Sequence, residues 1–522
     1  MSTNKYSKHD SNQGILKTTS VLSLGTLSSR VLGFVRDMIL AKFLGTSFRA
    51  DAFFVAFRIP NLFRDILGEG GMNSSVVPVI AEYAQKDKKD LMVFLNAVFV
   101  LLMMALSLLT VVGIILAPVI VRLIAPGFME DPEKLQLTIR LTRIMFPYLI
   151  LIGLTAYGMG VLFVFRSFMI PAFSPCLLNV SIITSALIAV KLPVDQVFCL
   201  AGGVLFGGVL QLGAHIVPIL RQGVRLRIPR VLDHPGVRQV GRLIVPRLFG
   251  SAVYQLSVFV DTFCASLSSV VGLGGISAIY YANRILQFPM SIFGIAIASA
   301  ILPTLSGFAA GQNMEEFRRT LIFALKSILL VMMPMAVFLV LFATPIVRLL
   351  FERGAFDAYS TAITAQALLF FALGLFWFAG AKILVTAFHS LQDTATPAKV
   401  AALCLLVNAA LNFILMGPLK VGGIALASAI SSGINFFVLL SILSDRLKGL
   451  GDGLLEYSSK VFLSAIVMGG ACYLLWHYLA IAQELVRLII VTAMGVIIFF
   501  QMCAIFRIQQ AQRILAWILR RP

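Results

Sequence analysis

Continuous apolar runs of helical length constrain this chain more than any other feature. Fourteen of them, at 16–44, 50–80, 91–116, 137–163, 169–190, 197–219, 240–267, 276–306, 320–344, 362–388, 397–416, 422–444, 458–479 and 485–506, are set off by Pro, Gly or charge. A helix crosses the bilayer core with about 20 mostly apolar residues, whereas a barrel strand needs only about 10 of alternating polarity. The runs do not alternate, so the chain reads as an all-α integral membrane protein with 14 transmembrane helices. Only 12% of its 522 residues are charged and 59% are hydrophobic, against about 25% charged in a soluble domain. A water-soluble enzyme is excluded. The opening MSTNKYSKHDSNQG is polar and lacks the basic, apolar, small-residue order of a removable signal, so the N-terminus is expected to stay in the cytoplasm. Six cysteines and five histidines are scattered singly, without the spacing of a zinc site or a disulfide framework. No cofactor is expected.

The formal net charge is +19. With the N-terminus inside, one set of loops holds Lys86, Lys88, Lys89, Arg166, Arg318, Arg319, Lys399, Arg446 and Lys448, together with Arg221, Arg225, Arg227, Arg230, Arg238 and Arg242. The opposite loops hold chiefly Arg49, Lys134, Lys191, Arg353 and Lys420. The positive-inside rule therefore gives N-terminus in, C-terminus in, and an even span count. Topogenic anchoring accounts for the 221–242 cluster better than a partner site does.

Displacing the chain against itself by roughly 220 to 230 residues aligns like features in the same order, the mark of duplicated transporter halves. Pro118 and Arg122 with Gly127-Phe128 face Pro345 and Arg348 with Gly354 and Phe356; Pro171, Cys176 and Asn179 face Pro397, Cys404 and Asn408; Gly202-Gly203 face Gly422-Gly423. Spans 1–6 and 7–12 each cross an even number of times, so the two six-helix lobes are parallel repeats, with two further C-terminal helices. The expected organisation is an N-lobe at 1–220, a basic linker at 221–242, a C-lobe at 243–448 and a C-terminal pair with a basic tail at 449–522.

Charge inside the spans is costly, about 2.5–3.5 kcal/mol per central arginine on insertion scales, so such residues face a cavity or a partner. Span 1 carries Arg30, Arg36 and Asp37; span 2 carries Asp51, Arg58, Arg64, Asp65 and Glu69; span 8 carries Arg284 after Tyr280-Tyr281. Arg30 and Arg36 lie about 120° apart in azimuth and about 9 Å along the axis, able to flank one groove. Interhelical ion pairing explains any one of these residues as well as function does. As a set, Arg30, Arg36, Arg64 and Arg284 exceed Asp51 and Glu69, and a positive surplus in lipid asks for an anion. Guanidinium forks suit a diphosphate. Asp261 in span 7 and Asp393 after span 10 are candidates for a monovalent cation site, against the plainer reading of hydrogen-bonded structural carboxylates. Pro60, Pro147, Pro246, Pro289 and Pro303 are expected to kink their spans.

Ser29-Arg30-Val31-Leu32-Gly33-Phe34-Val35-Arg36-Asp37, Ala50-Asp51-Ala52-Phe53-Phe54-Val55-Ala56-Phe57, Pro60-Asn61-Leu62-Phe63-Arg64, Tyr280-Tyr281-Ala282-Asn283-Arg284 and Gln392-Asp393 with Thr396-Pro397 resemble the signatures of the MurJ (MviN) lipid II flippases. The similarity runs over essentially the whole chain. It implies a member of the multidrug/oligosaccharidyl-lipid/polysaccharide exporter superfamily, not an enzyme, in a bacterial inner (cytoplasmic) membrane. It also implies that lipid II, the undecaprenyl-diphosphate-linked peptidoglycan precursor, moves from the cytoplasmic to the periplasmic leaflet. On this resemblance Arg30, Arg36, Arg64 and Arg284 match essential cavity arginines, and Asp51, Glu69 and Ser277 match other sensitive positions. Asp261 and Asp393 are carried over as a cation site, and spans 13 and 14 as the groove for the polyprenyl tail. Asn283 departs from the pattern of family members with Asp there, which puts any charge pairing at that position in doubt.

The expected mechanism is alternating access around a cationic central cavity that takes the diphosphate-sugar head. No Walker A motif is present, so Na+ or H+ coupling or the membrane potential stands as the driver. Lipid II, membrane lipids and cell-wall synthesis proteins are the expected partners, and nucleic acid is not. The alternatives are a flippase for another polyprenyl-linked oligosaccharide, a multidrug antiporter of the same superfamily, a polyprenyl-phosphate enzyme and a cell-wall scaffold.

Overall fold

The computed structural model describes residues 8–64, 72–224, 227, 234–451, 453–479 and 481–513. Among them the regular structure is helical, and the described residues of each of the fourteen apolar runs lie mainly on helix. The chain divides into two compact units, Met1–Gln255 and Leu256–Pro522.

The first unit contains α1 (Lys8–Leu44), α2 (Phe48–Arg64), α3 (Met72–Lys86), α4 (Lys88–Ile124), α5 (Pro132–Met145), α6 (Tyr148–Val164), α7 (Met169–Ala189), α8 (Gln196–Arg221) and the start of α9 (Pro235–Ser266). The run at 50–80 is split between α2 and α3, and the run at 137–163 is α5 and α6 meeting at Pro147. A buried cluster that includes Ile80, Tyr83, Phe94, Val161, Val224 and Val240 ties α3, α4 and α6 to both flanks of the basic 221–242 segment. His234 reinforces it. Its Nε2 lies 3.1 Å from Asp90 Oδ1, and its ring centroid is 5.1 Å from that of Tyr83.

The second unit contains the end of α9, then α10 (Ser268–Val271), α11 (Gly275–Pro289), α12 (Ala296–Ala310), α13 (Met314–Leu341), α14 (Ala343–Phe351), α15 (Ala358–Leu373), α16 (Leu375–Ser390), α17 (Ala395–Leu419), α18 (Val421–Leu447), α19 (Leu454–Tyr478) and α20 (Glu484–Ile505). A π-helical turn, Met290–Ile295, follows Pro289 and joins α11 to α12. The helices α15 and α16 meet at Gly374 with a bend of 47° and are together long and apolar enough for one crossing; an added Cβ at Gly374 meets Ala429 at 2.7 Å. The C-terminal pair α19 and α20 pack on each other, and α19 packs on α13.

Ten helical segments among the described residues are long and apolar enough to cross a membrane, and the α15–α16 pair makes an eleventh. The other three predicted spans correspond to α1, α2 and α9. At 17 residues α2 is short for a crossing, and α1 carries Arg30, Arg36, Asp37 and Lys42 along its length. Exposed aliphatics such as Leu108, Ile115, Leu406, Ile414 and Ile489 are 57–68% accessible, as a lipid-facing surface requires.

The repeat has a packing signature. An added Cβ on Gly203 of α8 meets Ser185 Oγ of α7 at 2.0 Å, and one on Gly423 of α18 meets the Leu415 carbonyl oxygen of α17 at 2.1 Å. In each unit the second glycine of the matched pair sits where its helix comes closest to the preceding one, as small residues permit in membrane bundles.

Candidate functional site

In the first unit the charges are held in two groups. Arg36 on α1 is buried, and its Nε and Nη2 both donate to Asp37 Oδ1, at 2.9 and 2.7 Å. Its Nη1 donates to Asn179 Oδ1 on α7 at 3.0 Å, and Asn179 Nδ2 donates to the Ser29 carbonyl at 3.0 Å. Arg36 is thus ion-paired within its own helix, to Asp37, and bonded across to α7 through a neutral amide. Arg30, on the same helix, is exposed.

The second group joins α2 to α5. Asp51, in the first turn of α2, accepts from Lys134 Nζ at 2.8 Å, and the two side chains are 2% and 4% exposed. The ammonium also lies 4.1 Å from the centroid of the Phe128 ring. From sequence Lys134 is an outer-loop cation; the structure instead seats it in the first turn of α5, buried. The signal was available, because Asp131-Pro132 is a helix N-cap followed by Pro at the first helical position, and Asp131 Oδ1 accepts from the Glu133 and Lys134 amides. Arg58 lies further along α2, half-buried. Arg64 ends α2, but its side chain and the whole of Glu69 lie outside the described residues.

In the second unit Ser277 is fully buried in α11. Arg284 on the same helix donates from Nη2 to the Tyr280 hydroxyl at 3.0 Å and from Nη1 to Gln287 Oε1 at 3.1 Å, with its guanidinium carbon 4.8 Å from the Tyr280 ring centroid. Tyr280, four residues before it on the helix, supplies the ring on which the guanidinium stacks. None of these partners carries charge.

Asp261 on α9 accepts from Asn412 Nδ2 of α17 at 2.9 Å and from Ser428 Oγ of α18 at 3.1 Å. Asn408 joins the cluster, accepting from Asn412 Nδ2 at 3.2 Å and donating to Ser428 Oγ at 3.3 Å. Asn412 Oδ1 is buried without a hydrogen-bond partner. Oxygen donors around a carboxylate, one of them unsatisfied, fit a small hard cation. Asp393 has other partners: the Thr396 amide and hydroxyl at 2.9 and 2.7 Å and Arg446 Nη1 at 2.8 Å. The Thr396 amide, then its hydroxyl, then Arg446 hold this carboxyl down at about 2. Among the described residues no group of three His, Cys, Asp or Glu is placed to hold a metal ion.

The repeat extends into these groups in a way sequence reasoning missed. Asp51-Ala52 through Ala56, Arg58 and Ile59 match Ser277-Ala278 through Ala282, Arg284 and Ile285 at a constant 226 positions, and Arg36 matches Asp261 at 225. Each lobe thus bonds a charged residue of its entering helix to an asparagine of its fifth span. The charge is positive in the first lobe and negative in the second. Asn179 and Asn408 were legible only as repeat markers.

A family model described as lipid II flippase MurJ matches residues 40–494. A lipid II flippase MurJ from Burkholderia cenocepacia is 35% identical, with 87% of this chain and 88% of that protein covered. A probable lipid II flippase MurJ from Buchnera aphidicola subsp. Acyrthosiphon pisum is 33% identical, covering 90% and 91%. Among solved structures, a lipid II flippase MurJ in an inward closed conformation superposes with a TM-score of 0.80 at 26% identity, covering 94% of this chain and 99% of that one. An inward-facing multidrug resistance MATE transporter of the MOP superfamily shares the fold, with a TM-score of 0.67 at 16% identity over 81% and 95% of the two chains.

Proposed function

This chain belongs to the lipid II flippase MurJ family, and from that premise we propose that it carries lipid II from the cytoplasmic to the periplasmic leaflet of the bacterial inner membrane by alternating access. It is a multi-pass transporter, and no covalent bond of the substrate changes. Both termini lie on the cytoplasmic side, as the distribution of loop arginines and lysines favours.

The diphosphate-sugar head is taken by the in-span arginines. Arg284 carries the reading. Its fork is steadied by a tyrosine ring, a hydroxyl and an amide, and a planar guanidinium so held suits bidentate contact with phosphate. Arg36, oriented by Asp37 and Asn179, and Arg30 on the neighbouring face of α1 supply further positive charge. Arg64 and Glu69 keep the roles their family motif suggests. Throughout, the undecaprenyl tail stays in lipid beside α19 and α20.

Coupling to a monovalent cation or to the membrane potential resets the carrier. Asp261 with Asn412 and Ser428 would hold the cation, which would neutralise a carboxylate at membrane depth. Asp393 instead serves to cap α17 and pair with Arg446.

The test is depletion of the protein in its host, with lipid II accessible at the outer leaflet as the readout. Accessibility is expected to collapse on depletion, to return with the native chain, and to stay low with Arg284→Ala. Unchanged accessibility on depletion overturns the assignment.

A further inference from the structure

Resting on the flippase reading, we infer that Asp51 and Lys134 form a positioning latch, which fastens the outer end of α2 to α5, and that Asp51 acts through Lys134 rather than on the substrate. Four observations carry this.

The carboxylate and the ammonium are 2.8 Å apart and almost wholly withdrawn from solvent. At that depth Lys134 is the group that makes an ionised Asp51 tolerable, and the reverse holds equally.

Second, Lys134 is packed as well as paired. Its ammonium lies over Phe128, whose side chain is fully buried in the 3-10 turn leading to α5, and its backbone amide is taken by the Asp131 cap. Such a cation has little freedom to follow a moving ligand.

Third, the substrate head is anionic, and a carboxylate offered to a diphosphate repels it. A contact role for Asp51 runs against the charge of everything it is asked to hold.

Fourth, the repeat provides an internal comparison. At 226 positions further on, Asp51 and Lys134 become Ser277 and Ser360, both buried, so the second lobe places two hydroxyls where the first places an ion pair. The α2 helix carries Arg58 and Arg64 beyond Asp51, and the latch fixes their height along the helix axis. Sensitivity at Asp51 then reflects where those arginines sit.

The experiment compares Asp51→Asn, Lys134→Met, the charge-exchanged pair Asp51→Lys/Lys134→Asp and the neutral pair Asp51→Asn/Lys134→Gln. Each is the only copy in cells, with membrane abundance measured beside outer-leaflet lipid II. The single variants are expected to lose at least tenfold in export. The exchanged pair, which sits at two helix N-termini and so meets similar backbone dipoles in either order, is expected to recover export to within threefold of the native chain. The neutral pair is expected to recover more than Asp51→Asn alone. An exchanged pair present at native abundance and without export overturns the proposal, because a carboxylate is then needed on α2 itself. If the exchanged pair fails to accumulate, the neutral pair decides: export no better than that of Asp51→Asn overturns the latch. A native chain that exports no lipid II contradicts the flippase reading instead, and that control is scored separately.

Discussion

Asn179 accepts a hydrogen bond from Arg36 at 3.0 Å and donates one to the Ser29 carbonyl at 3.0 Å, so a single amide on α7 fixes both a cation of α1 and the backbone two turns before it. Asn179→Leu leaves a buried guanidinium one acceptor short, at a cost of about 1–3 kcal/mol. Lipid II export in cells that rely on this variant is expected to fall by roughly tenfold or more at unchanged membrane abundance. Native-level export shows that Arg36 needs no such partner.

Tyr280 serves Arg284 twice, through its hydroxyl and through its ring. Tyr280→Phe removes only the hydrogen bond, so binding of lipid II to purified protein is expected to weaken several-fold, by about 1 kcal/mol. Tyr280→Ala also removes the stacking surface and should weaken it further. Arg284→Lys is expected to resemble Arg284→Ala more than the native chain, since an ammonium has no planar fork. Native mass spectrometry across the four variants checks the order.

Asp261 and its asparagine neighbours predict a cation-dependent melting temperature. In detergent, Na+ is expected to stabilise the native chain, by about 2.7 kcal/mol at a hundred times its dissociation constant. The gain should vanish in Asp261→Asn and shrink in Asn412→Leu. Equal stabilisation of all three by Na+ removes Asp261 from any cation site.

The two matched glycines are expected to respond unequally. At Gly423 an added methyl meets backbone, the Leu415 carbonyl, whereas at Gly203 it meets the Ser185 side chain, Oγ at 2.0 Å and Cβ at 2.7 Å, of which the hydroxyl can rotate aside and the Cβ must shift. Gly423→Ala should cost about 1–3 kcal/mol or more, in the range of overpacked cores, and Gly203→Ala less. Thermal unfolding of the two purified variants distinguishes them.

Asp393 gives a pH dependence with a definite sign. Its carboxyl titrates at about 2 in the folded chain, chiefly because of the Thr396 amide, below the unfolded value of about 3.9. Its stabilisation is therefore complete above pH about 4 and is lost as pH falls from there toward 2. Asp393→Asn should show a smaller loss of melting temperature between pH 6 and pH 3 than the native chain. Parallel losses in the two proteins assign the acid sensitivity elsewhere.

Much of this architecture was legible from the chain because bilayer thickness turns apolar length into helix count. The runs that became α4, α7, α8, α13 and α17 to α20 needed no other information. The run at 137–163 read as a single span, and Pro132–Val164 is one membrane-length segment that turns at Pro147; the run at 50–80 includes residues 65–71, which lie outside the described residues. The arginines of α1 and α11 stood out as charges in apolar text. Their partners did not, since an asparagine such as Asn179 or Asn412 looks like tolerated polarity until the neighbouring helix is in place. Lys134 was misjudged for a related reason: a lysine close to a loop normally signals solvent, and only the N-cap at Asp131 marks the chain there as already helical.

The π-helical turn after Pro289 has a mechanical consequence. Where α17 and α18 touch backbone to backbone at Gly423 they cannot slip past each other, so those rods move as one stiff element. The widened turn at Met290–Ile295 is the opposite case: its carbonyls are already out of register with the ordinary helical ladder, and swivelling there disrupts few further bonds. That joint lies about a turn and a half beyond Arg284 on the same span, so a change of twist there would turn the guanidinium relative to α12.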